Sequence, residues 1–262
     1  FREARETRGA WAQGLPLRRF RKGDEYLYYV GCVGSYDSRS RGAARALGSL
    51  LLKAGVSFGI LGEEEECDGN EVRLLGEQGL FERQRDRNVE RFRGLGVKKI
   101  VTLSPHSYNT MKNDYHADLQ VLHYTQLLRE LLRSGALPVP PDLRARVTYH
   151  DPCFLGRHNG EYDAPREMLR SIPGIEMVEM ERTRNTAFCC GGGGANFYTG
   201  ISARGKEQAS NARIREAADA GAEVLAVACP VCLMMLEDAV KSEGLDDRLV
   251  VRDIAELLHS SG

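Results

Sequence analysis

Glu223-Val-Leu-Ala-Val-Ala-Cys-Pro-Val-Cys232 is an apolar run that ends on a Cys-Pro-x-Cys element. Residues 223–228 read as a strand. Pro230 follows Cys229 as a helix-starting proline would, which puts Cys232 in the first turn of a helix. A strand that passes through a cysteine into a helix is one step of an α/β chain. The same alternation extends back toward the N-terminus. Strands are expected at 146–150 and 175–180, with helices near 165–170 and 203–220. Before these, strands at 26–31, 56–61 and 99–103 alternate with helical periodicity over 39–53, 72–92 and 119–133.

The two halves repeat this order. Gly31-Cys32 aligns with Pro152-Cys153, Cys67-Asp68-Gly69 with Cys189-Cys190-Gly191, and Ser104-Pro-His-Ser107 with Cys229-Pro-Val-Cys232, at offsets of 121, 122 and 125 residues. So small a drift over such a distance points to a duplicated α/β unit. Between the halves, Ala136-Leu-Pro-Val-Pro-Pro-Asp142 is a proline-rich connector, because prolines remove backbone donors and disfavour regular structure. The expected organisation is an N-terminal linker or remnant of a larger chain at 1–24, a first unit at 25–142 and a second at 143–262.

Five of the seven cysteines fall in the second half: Cys153, the adjacent Cys189 and Cys190 before the run Gly191 to Gly194, and the pair Cys229 and Cys232. Each landmark lies where a strand gives way to a loop or helix, so the sulfurs can gather at the carboxyl ends of the strands, where open α/β sheets bind ligands. Thiolates are soft ligands for iron–sulfur clusters and zinc. Zinc would take four ligands and leave one cysteine without a role. A Cys189–Cys190 disulfide would close a strained ring. The glycine run lacks the Lys-Ser/Thr ending of a phosphate loop. Five candidate ligands, two of them adjacent, suit a more open cluster than a four-thiolate cubane.

The pattern resembles the CCG, or cysteine-rich, domain of heterodisulfide reductase B and D subunits. The same tandem domain occurs in iron–sulfur subunits of lactate, glycolate and glycerol-3-phosphate oxidation and of electron-transfer flavoprotein:quinone oxidoreductases. The resemblance runs through Gly31-Cys-Val-Gly-Ser-Tyr-Asp37, Ser104-Pro-His-Ser-Tyr-Asn-Thr110, His150-Asp-Pro-Cys-Phe-Leu-Gly-Arg157, Cys189-Cys-Gly-Gly-Gly-Gly194 and Cys229-Pro-Val-Cys232. It implies one noncubane [4Fe-4S] cluster on Cys153, Cys189, Cys190, Cys229 and Cys232. His150, Asp151 and Arg157 flank Cys153 and are expected either to bond a cluster sulfide or move a proton with the electron, or, for the first two, to end a strand and cap the next helix.

In the first half Asp68 stands where a second adjacent cysteine would be, and Ser104 and Ser107 replace the final pair. Serine is normally protonated and its oxygen is harder than sulfur, so a second cluster of this kind is not expected. Cys32, Cys67, Asp68 and His106 remain as a candidate zinc set; the alternatives are a metal-free pocket with two ordinary cysteines, or an emptied pocket that takes a substrate or partner.

Charge is nearly balanced, with 36 Lys and Arg against 37 Asp and Glu, which leaves no polyelectrolyte footprint for nucleic acid. The cluster Arg18, Arg19, Arg21 and Lys22 is a short charge run suited to a solvated linker or an acidic partner, and Tyr26, Tyr28 and Tyr29 are strand residues. No apolar run approaches the length a membrane helix needs, and the candidate 47–52 is far too short, so any membrane association is expected through a partner or a missing segment. The chain begins at Phe1 with no signal-peptide layout and reads as a fragment or processed chain. An odd cysteine count in a chain of this length points to a reducing compartment, the cytoplasm or the cytoplasmic face of the membrane.

The resemblance implies an oxidoreductase component that relays electrons between a flavoprotein or dehydrogenase subunit and a quinone, haem or further iron–sulfur carrier. The alternatives are heterodisulfide reductase-type thiol–disulfide catalysis and a zinc scaffold. Loss of the first site favours relay, because the family reductase is held to use two clusters on either side of its substrate.

Overall fold

Short runs of β-branched and aromatic residues make a four-stranded parallel sheet in each half of the computed structural model, which describes residues 8–138, 142–199 and 207–259. The chain divides into two compact units, Phe1–Pro138 and Val139–Gly262. Residues 1–7 of the expected linker, 139–141 of the expected connector and 203–206 of the expected helix lie outside the described residues.

The first unit runs β1 (Tyr26–Tyr29), α1 (Gly31–Tyr36), α2 (Ser40–Lys53), β2 (Phe58–Gly59), α3 (Asn70–Leu74), α4 (Gln78–Leu95), β3 (Lys99–Thr102), α5 (Pro105–Asn113), β4 (Gln120–His123) and α6 (Tyr124–Arg133). The second runs β5 (Ala145–Tyr149), α7 (Asp163–Arg170), β6 (Ile175–Met177), α8 (Asn196–Thr199), α9 (Ala209–Asp219), β7 (Val224–Val227), α10 (Pro230–Ser242), β8 (Val250–Asp253) and α11 (Ile254–His259). The sheet orders are β2-β1-β3-β4 and β6-β5-β7-β8, all parallel.

The duplication extends to strand register. Tyr28 lies opposite Val101 in the first sheet, and Tyr149 lies opposite Ala226 in the second. These pairs are related by the same offsets that align the cysteines. Helix starts after the last strands match too. The His123 N–H donates to Gln126 Oε1 at 3.0 Å, and the Asp253 N–H to Glu256 Oε2 at 3.0 Å, each side chain reaching back three residues to an otherwise unpaired amide.

Strands β1 and β7 are buried along their whole length, as helix-covered parallel strands are. Tyr28 and Tyr29 belong to this core, with their hydroxyls donated to the carbonyls of Ala44 and Glu66. The segment before β1, expected as a linker, packs onto the first unit. Trp11, Phe20 and Arg8 are buried, and Arg19 bridges to Ile60. Gly59 permits this, since a Cβ there would fall 2.3 Å from the Phe20 Cα. Arg18 is paired with Asp24 and does not stand free for a partner.

Two expected helices need correction. The periodicity at 72–92 is interrupted at Gly76, whose φ of 90° belongs to the left-handed region, so α3 and α4 are separate helices. The expected helix at 119–133 opens with β4, an edge strand whose residues pair in parallel with β3. Four residues are too few for a period of two to show against the following helical pattern. The edge strand β8 lay outside the expected strands for the same reason. Among the described residues no helix is long and apolar enough to cross a membrane.

Leu225, at the centre of β7, is wholly buried. Leu225→Ala is expected to cost about 2–5 kcal/mol in urea-induced unfolding, the usual range for a leucine truncated inside a packed core.

Candidate metal centre

Crossovers in a sheet of order β6-β5-β7-β8 change direction between β5 and β7, and the crevice at that reversal is where doubly wound sheets take ligands. The chain passes through Cys153 after β5, reaches Cys189 and Cys190 at the end of the loop after β6, and enters α10 through Cys229 at its N-cap, with Pro230 at the first helical position. The five side chains lie close enough to influence one another's ionisation. Cys232 donates to Cys190 at 3.4 Å. Cys190, Cys229 and Cys232 are buried, whereas Cys153 and Cys189 are partly exposed.

Sharing protons polarises this group. Hydrogen bonds from Cys153 and Cys190, helped by the Gly191 N–H at 3.3 Å, push Cys189 down to about 2. Bonding to neighbouring sulfurs and burial push the Cys153, Cys190 and Cys232 thiols up. The glycines let the loop approach α10. Gly191 has a φ of 81°, and a Cβ on Gly192 would fall 2.6 Å from Val231 Cγ1 and 2.9 Å from Met235 Cγ.

His150 directly follows β5 and is fully buried. One of its ring nitrogens lies within 4.8 Å of the Cys190 and Cys232 sulfurs. Nδ1 accepts a hydrogen bond from Arg213 Nε at 3.2 Å, and Nε2 has no partner. Burial, followed by the Arg213 cation, pushes the imidazole down to about 3, so it is neutral at ordinary pH. An unpartnered buried polar atom costs about 1–3 kcal/mol, and a group bound among these sulfurs would satisfy it. A soft, largely buried, five-sulfur donor set fits an iron–sulfur cluster, and zinc would leave a sulfur over.

Asp151 does not cap a helix, because turns occupy the segment up to α7. Its carboxylate takes both terminal nitrogens of the buried Arg166, at 2.7 and 2.9 Å, and the Arg184 N–H at 2.8 Å. Arg157 donates to the carbonyls of Ala187 at 2.6 Å and Asn185 at 3.4 Å. Both residues therefore anchor the backbone leading into Cys189. Sequence reasoning missed Arg166 and Arg213, both buried, since a charged residue in a helical pattern reads as solvent-facing.

The first unit keeps the frame and changes the chemistry. The Gly69 N–H donates to Cys67 at 3.4 Å, matching Gly191 and Cys189, and Gly69 has the same φ of 81°. Where Cys232 meets Cys190, the Ser107 hydroxyl donates to Asp68. Ser104 caps α5, its Oγ accepting the His106 N–H at 3.2 Å. The expected zinc set does not assemble. Asp68 is engaged by Ser107 and by the Asn70 N–H, and His106 Nδ1 faces Glu71 at 2.6 Å. Among the described residues, the one group of three or more potential ligand side chains within 4.8 Å of one another is His150, Cys190 and Cys232. Cys32 and Cys67 remain as free thiols, with buried Arg8 donating from Nη1 to Cys32 at 3.3 Å and pairing through Nη2 with Glu65 at 2.7 Å.

The cysteine-rich domain family, CCG, matches this chain at residues 26–112 and 147–237, one match in each unit. The chain belongs to this family, among its iron–sulfur proteins. It is 42% identical over 244 residues to the probable iron-sulfur-binding oxidoreductase FadF of Bacillus subtilis, covering 90% of this chain and 34% of that protein. It is 40% identical over 242 residues to the EtfAB:quinone oxidoreductase of Syntrophomonas wolfei, covering 89% and 34% respectively. It is 39% identical over 258 residues to a probable membrane-anchored ferredoxin of Chromohalobacter salexigens, covering 95% and 38%. The chain thus spans little more than a third of these relatives.

Two outcomes are expected. Hydrogen bonding from Cys67 and the Arg8 cation pull the Cys32 thiol down to about 7 against its burial. Its rate of alkylation by iodoacetamide, followed by peptide mass spectrometry, is expected to rise with a midpoint near that pH, and Arg8→Gln to move the midpoint upward. Gly192→Val is expected to displace the loop from α10 and lower the iron bound per chain while the fold, read by circular dichroism, persists.

Proposed function

We propose that this chain is an electron-transfer part of an oxidoreductase that holds one noncubane [4Fe-4S] cluster on Cys153, Cys189, Cys190, Cys229 and Cys232. It would relay electrons between a flavoprotein or dehydrogenase and a quinone or other carrier, in the cytoplasm or at its membrane face. The observation that carries this reading is the contrast between the units: five cysteines with Cys232 bonded to Cys190 in the second, and a closed Asp68–Ser107 pair in the first.

When bound, such a cluster supplies one-electron redox chemistry. The protein's own groups prepare the place. Burial of Cys190, Cys229 and Cys232 keeps water from the inner sulfurs. The partly exposed Cys153 and Cys189 form the edge by which electrons enter or leave. The Gly191 N–H stabilises negative charge on the Cys189 sulfur. Asp151 and Arg157 hold the approach to Cys189, so the ligand loop is anchored before it meets metal. The name of the Syntrophomonas relative, EtfAB:quinone oxidoreductase, supports flavoprotein and quinone partners, and a single five-cysteine set favours relay over a cleavage that needs two.

Iron and acid-labile sulfide are expected in anaerobically purified protein. Cys229→Ala is expected to lose essentially all cluster signal in electron paramagnetic resonance, and Cys32→Ala to keep it. An unaltered signal in Cys229→Ala would refute the ligand assignment, zinc without iron would refute the relay itself, and turnover of a heterodisulfide would transfer the chain to thiol–disulfide chemistry.

A further inference from the structure

We propose that His150 is a fixed Nε2–H donor to the sulfur group of the second unit, locked in that tautomer by Arg213, and is not a metal ligand. The inference rests on the iron–sulfur reading of that unit.

Arg213 is wholly buried at the start of α9's second turn. Its Nη1 donates to the Arg182 carbonyl at 2.7 Å and to Glu216 at 2.8 Å, and these bonds aim its Nε at His150 Nδ1, 3.2 Å away. A guanidinium has donors only, so Nδ1 must present its lone pair. A neutral ring then carries its proton on Nε2. Ligation through Nε2 would need a lone pair on Nε2 and would move the proton to Nδ1, setting two N–H groups head to head. A doubly protonated ring meets the same conflict. His150 therefore stands beside Cys190 and Cys232 as a donor, although its distance alone would admit it as a ligand.

The first unit supplies the comparison. Tyr29 occupies the position equivalent to His150, at the offset of 121 residues, and its hydroxyl is satisfied by the Glu66 carbonyl at 2.6 Å. In the unit that has lost three of the five sulfurs the donor is closed off by protein. In the unit that keeps them, His150 Nε2 is buried with no protein acceptor. A donor to ligand or bridging sulfur stabilises the added electron and raises the reduction potential.

The test uses the cluster-loaded chain with 15N-labelled histidine. Pulsed electron paramagnetic resonance is expected to show weak nitrogen coupling and a proton coupling that exchanges in D2O. His150→Leu is expected to retain iron and sulfide, lose the exchangeable proton coupling and shift the potential to more negative values, with part of the shift restored in His150→Gln. Strong nitrogen coupling in the unaltered protein would overturn the proposal, as would an unchanged potential in His150→Leu. If the leucine variant fails to fold, coupling in the unaltered protein still decides between donor and ligand. If no iron binds, the relay reading fails separately, and 15N NMR of the ring decides the tautomer: a proton on Nδ1 overturns the assignment.

Discussion

Five sulfurs drawn into one largely dry crevice are the constraint on which the second unit depends. Thiols crowded in this way share protons and repel one another once ionised, and the proposed cluster would supply the positive centre that takes the charge. The surrounding structure brings them together at little conformational cost. Parallel strands deliver Cys153 and Cys229 to neighbouring strand ends at the switch point, and glycine backbone lets the loop of Cys189 and Cys190 lie against α10.

Buried charge is organised around that crevice. Asp151 with Arg166, and Glu216 with Arg213, are ion pairs whose desolvation is offset by several hydrogen bonds each. They contribute geometry more than stability. One pair fixes the loop before Cys189, and the other fixes the imidazole beside Cys190 and Cys232.

The first unit illustrates how a ligand site is lost without losing the fold. Serine and aspartate at two ligand positions satisfy each other, His106 turns to Glu71, and the tyrosine equivalent to His150 finds a carbonyl. Each polar group that would have faced metal has a protein partner instead. The pocket therefore remains compatible with a packed α/β unit while its polar groups turn to protein partners. Cys32 and Cys67 persist as a thiol pair under the influence of Arg8.

Much of this was legible in the linear chain. Apolar runs such as 223–228, the cysteine spacings and the near-constant offset between halves determined an α/β duplication with five cysteines gathered in one half, because strand burial demands particular residue types at particular separations. Edge strands β4 and β8 were not legible, since a four-residue strand carries too short a pattern to stand out from the helix after it. Nor could the chain alone say that Arg8, Arg166 and Arg213 are buried, that His106 faces Glu71, or which nitrogen of His150 holds its proton. Those facts depend on contacts between residues dozens of positions apart, and a side chain's partner, unlike its type, exists only once the tertiary structure has brought the two together.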